Sequence, residues 1–317
     1  AGTTLANALA VATAAGLPTR LVLGYADAEV NALLGVDGTR EATVALVALG
    51  RAANAAPPAP AIAPLDYPTR PISTREIAFP PITMLHAAST LTSGAEAAAW
   101  RADPLRRTPP EPQGPLIPLQ PLADDQIAGT PIEEIIVKRR STRNYDTEVT
   151  IPFASFSTLL DRSSRGVAAD CLDPAAPPLH DTYLIVNGVE DLAPGVYLHH
   201  ARRGAVELLR EGNFRQQAQR LAVNQGYAAD AHVNAYYLTD LEPVLARYGN
   251  RGYRLAQLEC SLFGGKLHLG THTLGLGAVG STSFDGEVEE FFAPHAAGKR
   301  YMFITVFGKR RRRSAGA

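Results

Sequence analysis

The sequence predicts an α+β fold, a mixed β-sheet flanked by helices, and three observations carry that expectation. From residue 124 onward, segments of helical and of strand periodicity are interleaved without strict alternation, which speaks against a doubly wound parallel sheet. A segment near the start of the chain is echoed near its end. Between the two copies lies a stretch that holds more than half of the 24 prolines.

The echo comes first along the chain. "GLPTRLVLGYADAEVNALLG" reads like "GLGAVGSTSFDGEVEEFF": Gly-Leu, a short apolar extended run, an aromatic, Asp, then x-Glu-Val opening a helix. Val30 and Gly50 are as far apart as Val288 and Gly308, and both copies end as an apolar strand closing on Gly and a cation, "ATVALVALGR" and "RYMFITVFGK". Residues 1–51 are therefore expected to be the closing piece of a first unit whose front is absent from this sequence. Residues 52–123 form a proline-rich linker, since "AAPPAPAIAP" and "RTPPEPQGPLIPLQP" cannot be helix interiors. One segment inside it, "TMLHAASTLTSGAEAAAW", is rich in helix formers and carries a Ser or Thr cap with Glu shortly after; His86 and Trp100 there read as packing residues.

Residues 124–317 read as the complete domain. "TPIEEIIVKRR" places Thr130 as N-cap and Pro131 at the first helical position, with acids in the first turn and cations at the end, as the helix dipole favours. "SFSTLLDRSSRG" is a second short helix. "DTYLIVNGV", "GVYLHH", "ADAHVNAYYLTD" and "RYMFITVFGK" read as strands. Leu255, Leu258, Leu262 and Leu269 fall at helical spacing in a long segment that runs into "LGLGAVGSTSFD". Gly275, Gly277 and Gly280 have the G-x-G-x-x-G spacing of a dinucleotide site, but the order here is helix, glycines, strand, and a nicotinamide fingerprint needs strand, turn, helix. The glycines are read as a helix terminator.

Composition removes whole classes of function. Thirty basic and 31 acidic residues give a net charge of −1, so nucleic-acid binding has no bulk electrostatic support, and the basic run from Lys309 to Arg313 reads as a solvated tail. Cys171 and Cys260 lie far apart without metal spacing, which suits inert thiols in a reducing, cytoplasmic setting. No apolar run has membrane length.

Candidate chemistry begins at "KRRSTRNYD". Arg139, Arg140, Ser141 and Arg143 gather cations and a hydroxyl where a helix ends, an arrangement that suits a phosphate and equally suits a helix C-terminus decorated with favourable cations. With "RRSTR" after the first helix, the long helix "RYGNRGYRLAQLECSLFGGKLHLGTHTLGLGA" and the turn "SFDGEV", the chain resembles flavin-dependent nitroreductase-fold proteins, in particular the SagB-type dehydrogenases that oxidise azoline rings in ribosomal peptides. The resemblance covers 125–310, and its closing part recurs in 1–51.

That resemblance implies an FMN-dependent oxidoreductase with a domain-swapped or pseudo-dimeric arrangement, as homodimer or intramolecular pseudo-dimer, acting on a modified peptide or small molecule. The alternatives are a NAD(P)H-dependent nitro or quinone reductase and a non-catalytic scaffold half. It implies that Arg139, Arg140 and Ser141 meet the FMN phosphate and ribityl chain and that Arg143 reaches the pyrimidine edge. Ser281, Thr282 and Ser283 would run along the isoalloxazine, and Lys309 and Arg310 would return to the phosphate. Arg247 and Tyr248 stand where the azoline oxidases carry a Lys-Tyr pair, but arginine is a poor base, which leaves Tyr248 as the candidate. Two departures stand out: "SSRGVAADCLDPAAPPLHD" replaces a Ser/Gly/Pro-rich flavin-contacting segment, and Gly265 and Lys266 replace a Gln-Asn pair.

Overall fold

The computed structural model describes residues 1–50, 61–65, 67, 68, 70 and 73–311. Most of "AAPPAPAIAP" and the last two arginines of the basic run, Arg312 and Arg313, lie outside the described residues. The chain opens with α1 (Gly2–Ala14), β1 (Thr19–Val22), α2 (Asp27–Leu34) and β2 (Leu46–Leu49). Then come α3 (Pro80–Ala88), α4 (Gly94–Arg101), β3 (Leu116–Pro118), α5 (Ile132–Lys138), α6 (Phe153–Ser163), β4 (His180–Val186), β5 (Gly195–His200) and β6 (Ala205–Glu211). The remainder is α7 (Arg215–Leu221), α8 (Gly226–Asp230), β7 (Val233–Asp240), α9 (Leu241–Tyr248), α10 (Arg251–Thr273), β8 (Gly277–Ser281), α11 (Asp285–Phe292) and β9 (Lys299–Gly308).

Seven strands form one sheet in the order β3-β6-β5-β4-β7-β9-β8, and β1 and β2 form a separate pair. Every ladder is antiparallel, and parallel pairing enters through isolated bridges at Leu21–Ala169, Ser141–Ala278 and Ile151–Val189. The central strands are covered on both faces, so "YLIV" in β4 has no polar side. Tyr183, Ile185, Tyr236 and Ile304 pack toward α7, α8 and α11, while Leu184, Val186 and Ala235 pack toward α6 and α10.

The predicted strands appear at their expected places, and β6 and β3 are additions. "AVELLRE" alternates too weakly to announce a strand, yet it pairs with β5 and in turn carries β3, so the proline-rich stretch closes the edge of the main sheet. The helix-forming segment of that stretch is two helices. They are separated at Ser89–Thr92, and Ser93 caps α4 by accepting a hydrogen bond from the Glu96 N–H at 3.1 Å. At α5 the N-cap is Pro131 and not Thr130, with no side-chain cap, while the acidic first turn and Lys138 in the last turn are as expected. The long helix is interrupted at Gly249, whose φ of +58° separates α9 from α10.

The first fifty residues dock on α10. α1 crosses it where both helices carry glycine: a Cβ on Gly265 would stand 2.7 Å from the Ala6 Cβ, and one on Gly2 would stand 2.5 Å from the Leu258 carbonyl. A buried ion pair fixes the next turn. Arg251 and Asp27 are 4% and 1% exposed and meet at 2.5 Å; Arg251 also donates to the carbonyls of Leu23 and Ser89, and Asp27 accepts from the Leu91 N–H. One guanidinium thus ties α2, α10 and the segment before α4 together.

Removing one partner of such a pair leaves an uncompensated buried charge, so Asp27→Ala is expected to cost about 3 to 5 kcal/mol in chemical denaturation; a loss below about 1 kcal/mol would contradict this role. His199 in β5 supplies a second expectation. Burial, followed by the neighbouring His200 and His180, pushes it down to about 3. The native ring stays neutral while the unfolded ring takes up a proton near its ordinary value. Stability is therefore whole above about pH 6.5 and falls as the pH drops toward 3, by at most about 1.4 kcal/mol per pH unit from this group. His199→Gln should flatten that acid limb, and an unchanged limb would count against it.

Candidate active site

The glycines of "LGLGAVG" build the site's framework. α10 ends in a Schellman arrangement: Gly275, with φ +68°, donates to the His272 carbonyl at 3.2 Å, and Leu276 donates to the Thr271 carbonyl at 2.8 Å. Gly277 follows at the start of β8. A Cβ there would collide with the Thr142 hydroxyl and lie 2.8 Å from the Arg310 Cγ, so only glycine lets both segments close on β8. The Thr142 N–H donates to the Ala278 carbonyl, and the Asp146 N–H to the Lys309 carbonyl, each at 2.9 Å. Tyr145 forms a bridge with Arg310, and its buried hydroxyl donates to the Val306 carbonyl at 3.1 Å.

These contacts bring the "RRSTR" segment and the end of β9 to one corner of the sheet. Arg140, Ser141, Arg143, Lys309 and Arg310 are exposed there, and Arg139 is half-buried. Arg140 folds back and donates to the Val137 and Arg139 carbonyls at 2.8 and 2.9 Å, so it caps α5 as well as adding charge.

Two residues that the motif reading did not single out complete the corner. His268 and His272 lie one turn apart on α10 with ring centroids 5.5 Å apart. Burial, then the charges of Arg139 and His272, pushes His268 down to about 4; burial, then Arg310, also lowers His272. The Nε2 atoms of both rings and the Nε of Arg139 have no hydrogen-bond partner among the described residues. Cations beside unpartnered imidazole nitrogens suit a phosphate, to which a ring donates from Nε2 in the tautomer that carries its proton there. The i, i+4 histidine spacing was the available signal.

From this corner β8 leads to the predicted serine-threonine run. Ser281 shares a 2.7 Å hydrogen bond with the Tyr227 hydroxyl, Thr282 is exposed and Ser283 is buried. Beyond Ala278 the outer edge of β8 is open. The N–H groups of Thr282 and Ser283 have no partner among the described residues, and the next N–H, of Phe284, donates to the Leu221 carbonyl at 3.1 Å. A ligand extending along this edge would meet two adjacent backbone donors.

Arg247 and Tyr248, the expected catalytic pair, lie outside this corner, and each is held by contacts of its own. The Tyr248 hydroxyl is spent: it accepts from the Leu105 N–H and donates to the Cys171 carbonyl, both at 2.9 Å. Its ring is 2% exposed, packs on Trp100 at 5.2 Å, and burial raises its pKa, which is opposite to what a base requires. Arg247 donates to the carbonyls of Asp103, Trp100 and Ala102 and so caps the end of α4. Gly265 and Lys266 are likewise structural, Gly265 against α1 and Lys266 donating to the Arg165 carbonyl.

A cavity of about 360 Å³ opens at the other end of the sheet beside His180, Asp181 and His200. Most of its buried polar groups pair with one another, His180 with Glu259 at 3.0 Å, His200 with Glu207 at 2.8 Å and Arg107 with Asp181. His199 Nε2 in its wall has no partner among the described residues; what distinguishes the Gly277 corner is that its unpartnered imidazole nitrogens stand with the unpartnered Arg139 Nε. Among the described residues no helix is long and apolar enough to cross a membrane.

The chain is similar in sequence and in fold to known proteins. A candidate nitroreductase of Methanocaldococcus jannaschii is 26% identical over 167 residues, which is 50% of this chain and 82% of that protein. The crystal structure of a candidate nitroreductase from Anabaena variabilis superposes with a TM-score of 0.73 at 23% identity over 98% of this chain, which spans 64% of the length of that one. The model of the nitroreductase family matches residues 136–309, from the end of α5 to the end of β9, and the chain belongs to that family of oxidoreductases.

Proposed function

We propose that this oxidoreductase works with FMN held along β8, its phosphate in the corner around Gly277. The observation that carries the proposal is the convergence of Arg139, Lys309 and Arg310 with two neutral histidines whose Nε2 atoms are unspent, at the head of a strand edge with free N–H groups. Arg139, Ser141, Lys309 and Arg310 would bind the phosphate, with His268 and His272 beneath it. Arg143 would place positive charge at the pyrimidine edge, where reduction builds negative charge. Thr282 and Ser283 would orient the ring through their N–H groups. FMN, when bound, supplies hydride transfer at N5.

The substrate reading turns on proton transfer. Azoline oxidation needs a base to remove a proton as hydride leaves, and the hydroxyl expected to serve is committed to Leu105 and Cys171. Reduction of a nitro compound or quinone at the expense of NAD(P)H takes its protons from solvent and asks for no such side chain. The second reading therefore gains weight over azoline dehydrogenation, which rests on the order of "RRSTR", the long helix and "SFDGEV".

Two measurements test the assignment. In fluorescence titration, Arg139→Ala/Arg310→Ala should bind FMN at least about 30-fold more weakly than the parent while riboflavin, which lacks the phosphate, changes by less than about threefold; equal losses for both would contradict the phosphate assignment. Gly277→Val should lower FMN affinity at least about tenfold, because Thr142 and Arg310 must move apart; unchanged binding would remove Gly277 from the account.

A further inference from the structure

The two ends of the chain that resemble each other in sequence also share an order of elements. The succession α1-β1-α2-β2 matches α10-β8-α11-β9, and both strand pairs are antiparallel. The registers align: Leu21 and Val22 oppose Val47 and Leu46, as Gly280 and Ser281 oppose Thr305 and Ile304. Asp27 and Asp285 then open the following helices. By this correspondence, Val22–Gly24 of the first copy stands where Ser281–Ser283 stands in the second, with one extra residue in the turn.

The two edges differ in what meets them. On β8 the Thr282 and Ser283 N–H groups are unspent among the described residues. On β1 the corresponding donors are taken. Asp170 accepts from the Leu23 N–H through Oδ1 at 2.9 Å and from the Gly24 N–H through Oδ2 at 3.0 Å. Its neighbours extend the closure: the Leu21 N–H donates to the Ala168 carbonyl and the Asp170 N–H to the Leu21 carbonyl, both at 2.9 Å. Arg101 donates to the Gly24 carbonyl at 2.8 Å, and a Cβ on Gly24 would come within 2.9 Å of the Trp100 ring. Leu21, Leu23, Ala169 and Cys171 are all buried around this seam.

We infer that the first copy's edge is a flavin edge closed from within, with the Asp170 carboxylate in the acceptor positions, so that the chain binds one flavin, at β8. The inference rests on the flavin reading proposed above. Chemically the substitution is close: flavin N5 and O4 present two adjacent acceptors in one plane, and so do the oxygens of a carboxylate. The segment carrying Asp170 is the one that departs from the Ser/Gly/Pro-rich composition. Its sequence, "VAADC", provides both the isolated bridge from Ala169 that seals the edge at Leu21 and the carboxylate that caps the remaining donors.

The experiment is flavin stoichiometry on the full chain saturated with FMN, measured as released FMN against chain concentration, for the parent, Arg139→Ala/Arg143→Ala and Asp170→Asn. The expected result is one FMN per chain in the parent, loss of it in the double variant, and one FMN with a lowered thermal midpoint in Asp170→Asn. Two FMN per chain, or one that survives the double substitution and is lost in Asp170→Asn, would overturn the inference and leave the flavin reading standing. No FMN at all would overturn the flavin reading, and this inference with it.

Discussion

The corner depends on an absent side chain. Gly277 lets the backbone of "RRSTR" and the end of β9 close on β8 together, and every cation of the corner reaches its place through that contact. A methyl group would already meet the Thr142 hydroxyl. Local sequence, sheet topology and ligand electrostatics therefore meet at one residue, which explains why a spacing that resembles a dinucleotide fingerprint serves a different purpose. Gly275 ends the helix, and Gly277 admits the two cationic segments.

The second organising constraint is burial of the first fifty residues against α10. Glycines on both helices bring α1 close, and the Arg251–Asp27 pair with the Leu23 and Ser89 carbonyls holds the next elements. The same docking delivers β1 to the loop after α6, where Asp170 seals its edge. On the correspondence inferred above, the two strand edges have opposite fates. One keeps its backbone donors unspent, and the other uses them to bind the protein to itself.

Much of this was legible in the sequence because the responsible forces are local. The strands β4, β5, β7 and β9 and the helix terminator at Gly275 follow from periodicity and glycine chemistry. What was hidden depends on distant pairing. β6 and β3 are strands because they complete an edge, not because "AVELLRE" or "LIP" insists on it. Tyr248 was a plausible base in the sequence, and only its contacts with Leu105 and Cys171 show the hydroxyl to be spent. His268 and His272 were visible as an i, i+4 pair but had no assigned neighbour until Arg139 and Arg310 were placed beside them. Asp170 gave no signal, since its role consists of two hydrogen bonds to residues 146 and 147 positions away.

The most direct test of the central claim is a crystal structure of the chain grown with FMN. The account predicts the phosphate within hydrogen-bonding distance of Arg139, Lys309 or Arg310 and of His268 or His272, with the ring edge against the Thr282 and Ser283 N–H groups and the Asp170 clasp on β1 unchanged. Flavin seated on the β1 edge with Asp170 displaced, or in the cavity beside His180 at the other end of the sheet, would contradict it.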